Sequence, residues 1–217
     1  MEQLNSEKVK HYILMADIVN SSEKIQNQLM IDFKELINEI NESCSREILS
    51  PLTITLGDEF QCVLKDLFSS INVILQIEES IIHKNLNFQL RYVLHQGNIE
   101  TPINKEIAYA MLGSGLTDAR SKLNDIKNYK FRFNISIENK LQNDILINAF
   151  KILENITEKW DSKKDLETVS NFLKLKDYKL VSETMNKTRS QLWKRERSLN
   201  IESYNSIKNI IQLISKK

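Results

Sequence analysis

A chain of 217 residues makes one large or two small domains, and at this size it buries roughly 70% of its unfolded surface. Its net charge of +1 excludes no class of partner, but 4 Gly and 2 Pro argue against long flexible linkers. No apolar run reaches the length of a membrane span, and the polar start from Met1 to Lys10 reads as neither signal peptide nor anchor.

The first element runs from His11 to Ser22. It is almost wholly apolar, as in a strand buried on both faces, and is broken by a single acid, Asp17. Ser21 or Ser22 is positioned to cap a helix whose apolar side is Ile25, Leu29, Phe33, Leu36, Ile37 and Ile40. Pro51 closes the gap before the next strand. Thr53 to Leu64 then reads as strand, turn, strand, with Gly57-Asp58 at the turn and Asp58-Glu59 as adjacent acids. Adjacent carboxylates there are costly unless solvated or bound to a cation. If the first strand lies beside this hairpin, Asp17 and Asp58 converge. Two carboxylates about 4 Å apart repel by about 4 kcal/mol at an effective dielectric near 20, and Mg²⁺ or Mn²⁺ between them turns that repulsion into binding. The plainer reading of Asp17 is a cap or loop acid.

A helix follows from about Leu67. Phe88 to His95 alternates as a strand with one polar face, ended by Gln96-Gly97-Asn98. Gly113-Ser114-Gly115 opens a helix from about Leu116 to Ile126, and is equally a phosphate-holding turn or an ordinary tight loop. Lys122 and Lys127 on this stretch either steer a triphosphate or form a solvated face. Phe131 to Ile137 alternates again. The order β-α-β-β-α-β-α-β predicts an α+β fold of the ferredoxin-like, palm type. His95 reads as a hydrogen-bonded structural residue, and His11 and His83 as surface. Cys44 and Cys62 read as free buried thiols of a reducing cytoplasm.

Strand signals stop near Asn139, which divides the chain into residues 1–138 and a helical part, 139–217. Leu141 to Trp160 and Leu166 to Leu173 are amphipathic helices, and Tyr204 to Ile214 closes the chain. Between them, about 177–199 has the rhythm of a helix-turn-helix: a turn at Met185-Asn186-Lys187, then a helix capped by Thr188. From Lys176 to Arg197, seven Lys or Arg face three Asp or Glu, a net +4. Arg189, Ser190, Gln191, Lys194 and Arg197 would point outward, and these types contact DNA grooves and phosphates. The alternative is a solvated helix packed on the first part or on a second subunit.

Ala16 to Ser22, Thr53 to Gln61, and Gly113 to Leu116 through Ala119-Arg120 resemble the SatD family of bacterial proteins over nearly the whole chain. A wider resemblance is to class III nucleotidyl cyclases, carried by Asp17 to Ser22, Leu56-Gly57-Asp58 and Arg91 to Gly97. Gly57-Asp58-Glu59-Phe60 is also similar to diguanylate cyclases, whose first of two glycines would fall at Leu56. The cyclase resemblance implies two metal ions on Asp17, Asp58 and the Ile18 carbonyl, a nucleoside triphosphate against Asn20, Ser21, Ser22, Gly57 and Glu59, and a homodimer. Asp17, Asp58 and Arg120 are the implied catalytic residues. Asn20 stands where these cyclases have glycine, and Ile54 where a lysine reads the base. Thr117 and Ser121 stand where an Asn and an Arg stabilise the transition state, with Arg120 one place out of register. The expectation is therefore a cytoplasmic regulator: a metal-dependent nucleotide-binding domain joined to a DNA-binding helix-turn-helix. The alternatives are an active cyclase or other two-metal phosphoryl-transfer enzyme, and a non-catalytic protein-interaction module.

Overall fold

β1 (Lys10–Ile18) sits at the centre of the sheet because it is apolar on both faces. The computed structural model describes residues 9–20 and 26–216, except the side chain of Gln26. Ser21, Ser22 and Ile25 therefore lie outside the described residues. After β1 come α1 (Gln26–Ser43), β2 (Ile48–Ile54), β3 (Glu59–Leu64), α2 (Leu67–His83), β4 (Leu90–Asn98), α3 (Ser114–Ile126) and β5 (Phe133–Ser136). The rest is helical: α4 (Lys140–Thr157), α5 (Leu166–Leu175), α6 (Tyr178–Thr184), α7 (Arg189–Ser198) and α8 (Ile201–Ser215).

The strands form one mixed sheet in the order β2-β3-β1-β4-β5, antiparallel except for β4 beside β5. Side chains alternate between its faces. Leu14, Ala16 and Ile18 of β1 join Phe60, Cys62, Tyr92 and Leu94 beneath α1, α2 and the C-terminal helices. Ile13 and Met15 join Val63 and Val93 beneath Leu116, Ala119 and Leu123 of α3. By that alternation, Asp17 belongs to the α3 face.

The α+β order is the one the periodicities predict, and the differences are local. Pro51 lies within β2 rather than before it. β2 is an edge strand with two register shifts, where a residue lacking an N–H is tolerated. β4 runs on through Gln96-Gly97-Asn98, which pair with Tyr12, His11 and Lys10. Gly97 serves packing rather than a turn: a Cβ on it would sit 2.6 Å from the Cα of Gly115 in α3. A Cβ on Gly115 would likewise lie 2.6 Å from the Gly97 carbonyl carbon. We expect Gly115→Ala to cost about 1–3 kcal/mol by forcing α3 off β4. Thermal unfolding measures this, and an unchanged midpoint would refute the close-packing account.

The C-terminal helices share the core of the sheet's other face. Phe150, Leu153, Phe172, Val181, Tyr204 and Ile211 are buried in the same cluster as Leu14 and Tyr92. Tyr92 stacks on Phe133 at 5.2 Å, and Phe133 on Phe150 at 4.7 Å. α6 and α7 are thus one end of a continuous helical layer. His83 is half-buried rather than superficial, with Nδ1 2.9 Å from the Ser170 hydroxyl of α5. Cys44 and Cys62 are free and buried. Among the described residues, no helix is long and apolar enough to cross a membrane.

Candidate functional site

The antiparallel register around β1 sets Asp17 opposite Glu59 of β3 on one side and Arg91 of β4 on the other. All three fall on the face that α3 covers, and α3 adds Arg120 with Lys127 just beyond its end. Arg91 Nε donates to Asp17 Oδ1 at 3.0 Å, and Lys127 Nζ lies 3.3 Å from Oδ2. Lys127 also reaches Glu59 at 3.6 Å, and Arg120 pairs with the other oxygen of that carboxylate. Asp17 is 2% and Glu59 5% exposed, so each depends on these cations. Burial holds the Asp17 carboxyl above its ordinary value, with the charges of Arg91 and Lys127 acting against that.

Asp17 and Glu59 do not by themselves make a site for a divalent metal ion. Both Asp17 oxygens already face cations, and the cluster of two acids and three bases carries net +1. Mg²⁺ or Mn²⁺ there would add two charges where positive charge is already in excess. Among the described residues, no group of three or more His, Cys, Asp or Glu is placed to hold a metal.

The carboxylate opposite Asp17 is Glu59, not Asp58. Asp58 lies one residue further round the hairpin tip, where its carbonyl oxygen accepts from the Ile18 amide at 3.0 Å. Arg120, expected to act on a transition state, is held by Glu59. Gly57 occupies the tip with φ +80, a conformation that suits glycine. Asn20 follows β1 at φ 54 and lines a cavity on the opposite, helix-covered side. Lys127 lies in the cluster rather than on a solvated face. Arg91 was not anticipated as part of it; the signal was its place in the alternation Arg91-x-Val93-x-His95.

His95 bonds through Nδ1 to the Ser136 hydroxyl at 3.2 Å, in keeping with a structural role. At the start of α3 the glycine turn already meets an anion: Glu100 Oε1 lies 3.4 Å from the Ser114 amide.

In the helical half, α6, a turn through Asn186 and α7 follow the expected rhythm. Thr188 caps α7 in a reciprocal box with Gln191, so the Gln191 side chain is engaged at the helix start. Leu192 is the buried anchor of α7, while Arg189, Ser190, Gln191, Lys194 and Arg197 are exposed. Arg189 lies 3.2 Å from Glu183, and Arg197 lies over the Trp193 ring at 5.0 Å. Arg195 turns inward to pair with Asp165.

A model of the SatD family matches residues 12–214. No curated protein matches the chain. Solved structures that the chain is similar to include nucleotidyl cyclases. A bacterial light-regulated adenylyl cyclase is 15% identical, with 62% of this chain and 46% of that one covered at a TM-score of 0.44. The catalytic core of a rhodopsin-guanylyl cyclase with converted specificity, in complex with ATPαS, is 18% identical over 52% of this chain and 70% of that one, TM-score 0.40. The guanylate cyclase domain of RhGC from Catenaria anguillulae, in complex with GTP, is 17% identical over 52% and 71%, TM-score 0.38. The chain thus spans under half the length of the light-regulated enzyme.

Proposed function

The chain belongs to the SatD family, and on that premise we propose that it is a cytoplasmic regulatory protein that binds DNA through α7. The observation that supports this most is the exposure of Arg189, Ser190, Gln191, Lys194 and Arg197 on a helix anchored by Leu192. Arg and Lys neutralise phosphates, and Ser and Arg reach base edges in the major groove. Gln191, tied into the cap, sets the helix start rather than reading a base. A homodimer would present two copies of α7 to a two-fold symmetric site. The division at residue 139 is, on this reading, functional: the sheet half carries the helical half.

The test is retention of fragmented genomic DNA at two salt concentrations. Replacing Arg189, Lys194 and Arg197 together by Ala is expected to weaken binding by about a hundredfold and to flatten the salt dependence by about three charges. All three are exposed, so the fold should be unaffected. Binding without salt dependence, or unchanged in the triple variant, would leave a protein-interaction module as the better reading.

A second reading is favoured by the surplus charge beneath α3. The Arg120 and Lys127 side chains are 30% and 42% exposed and could take the phosphates of a nucleotide, without metal. ATP or GTP binding by calorimetry is then expected to survive EDTA and to weaken about tenfold or more in Lys127→Ala. Loss of binding under EDTA would instead favour the metal-dependent site on Asp17 and Asp58. No cyclisation step follows from this arrangement.

A further inference from the structure

A cavity of about 560 Å³ lies on the face of the sheet away from Asp17, between the end of β1, the α2–β4 connection and the junction of α4 with α5. That is room for a small organic molecule of two or three fused rings. Ile81, Ile82, Phe88 and Trp160 line it and are buried, so much of its wall is apolar and aromatic. Flat rings favour a flat guest. Asn20, Gln89 and Ser162 also line it and are exposed.

Among the described residues, the lining carries two charges, on Glu78 and Arg132, and they cancel. Both residues are more than nine-tenths buried. Arg132 Nη1 and Nη2 reach Glu78 at 3.2 and 3.0 Å, and the Tyr92 hydroxyl donates to the same carboxylate at 2.8 Å. The wall is therefore neutral. A charged guest would give up water and find no counter-charge, which is costly, whereas an uncharged guest escapes that penalty.

The charge of Arg132 is balanced, but its donors are not all used. A guanidinium has five N–H groups. Nη1 serves Glu78 and the Leu90 carbonyl, the latter at 2.6 Å, and Nη2 serves Glu78. Nε is buried and makes no hydrogen bond, with Glu154 3.5 Å away. A buried donor without an acceptor is destabilising. A carbonyl oxygen is the acceptor that satisfies such a donor without bringing a charge into a neutral cavity.

We propose that this cavity binds an uncharged, flat heterocycle with a ring carbonyl, the oxygen accepting from Arg132 and the rings lying against Phe88 and Trp160. The site rests on neither the DNA reading nor the phosphate reading, and its test uses neither ligand.

In a Trp193→Phe background, Trp160 is the remaining tryptophan of the two in the chain. Acridone, an uncharged three-ring molecule with one ring carbonyl, is expected to quench it saturably at roughly 10 µM. 9-Aminoacridine and acridine-9-carboxylate keep the three rings but carry a positive and a negative charge. Each is expected to bind at least about tenfold more weakly. The infrared carbonyl stretch of bound acridone is expected below its position in a hydrocarbon solvent, as a hydrogen bond requires. Ile82→Phe narrows the cavity and is expected to weaken acridone about tenfold or more, with circular dichroism confirming the fold. The probe comparison uses the parent protein and stands whether or not this variant folds. Absence of quenching, equal affinity for a charged probe, or an unchanged titration in folded Ile82→Phe would each overturn the site. A carbonyl stretch at its hydrocarbon position would overturn the bond to Arg132.

Discussion

Arg132→Met is expected to lower the unfolding free energy by about 3–5 kcal/mol. The methionine fills most of the volume, so the loss comes from charge rather than from a cavity. Glu78 and Glu154 would then sit buried with no cation between them, and the Leu90 carbonyl would lose its donor. Urea unfolding at pH 7 measures the loss, and a change below about 1 kcal/mol would refute the assignment. Adding Glu78→Gln and Glu154→Gln should restore much of it, because the uncompensated charges go with them.

The deficit should also depend on pH, and the sign follows from Glu154. Burial, the largest influence, holds its carboxyl above the ordinary value, with Arg132 opposing it. The folded state therefore binds the proton more tightly than the unfolded chain does. That contribution is present below the ordinary carboxylate range and is lost as pH rises through the raised value. Removing Arg132 takes away the main opposing influence, so the variant should regain stability on acidification from pH 7 towards 5.

Phe150→Ala is expected to cost a similar amount, about 3–5 kcal/mol, by a different route. Phe150 is fully buried on α4 and stacks on Phe133 of β5, which stacks on Tyr92 of β4. Truncation opens a cavity where the helical half meets the sheet. Because one core spans both, far-ultraviolet circular dichroism and tryptophan fluorescence should report a single transition, shifted together. Both tryptophans lie in the helical half, so a fluorescence transition that moves alone would mean that the halves unfold separately.

Most of the fold was legible because its signals are local. An apolar run marked β1, and alternation marked β4 and β5. Helical spacing marked α1, with Leu29, Phe33, Leu36, Ile37 and Ile40 all buried as read. The cap at Thr188 and the outward face of α7 were legible for the same reason: a cap spans three residues, and a face repeats every turn. Element ends were harder. Pro51 and Gly97 read as breaks, yet an edge strand tolerates the first and the close approach of α3 makes use of the second.

By itself, the sequence determined the family, the order of strands and helices, the buried faces and the exposed basic helix, since each is written in residues close together along the chain. Only the tertiary structure decided that Asp17 faces Glu59, Arg91 and Lys127, and that Arg132 joins Glu78 and Glu154 beside a cavity. Those partners are tens of residues apart, and a shift of one residue in register would exchange Glu59 for Asp58. Pairing across strands and packing of helices select which charges meet, and the spacing of acids along a sequence carries no record of that choice.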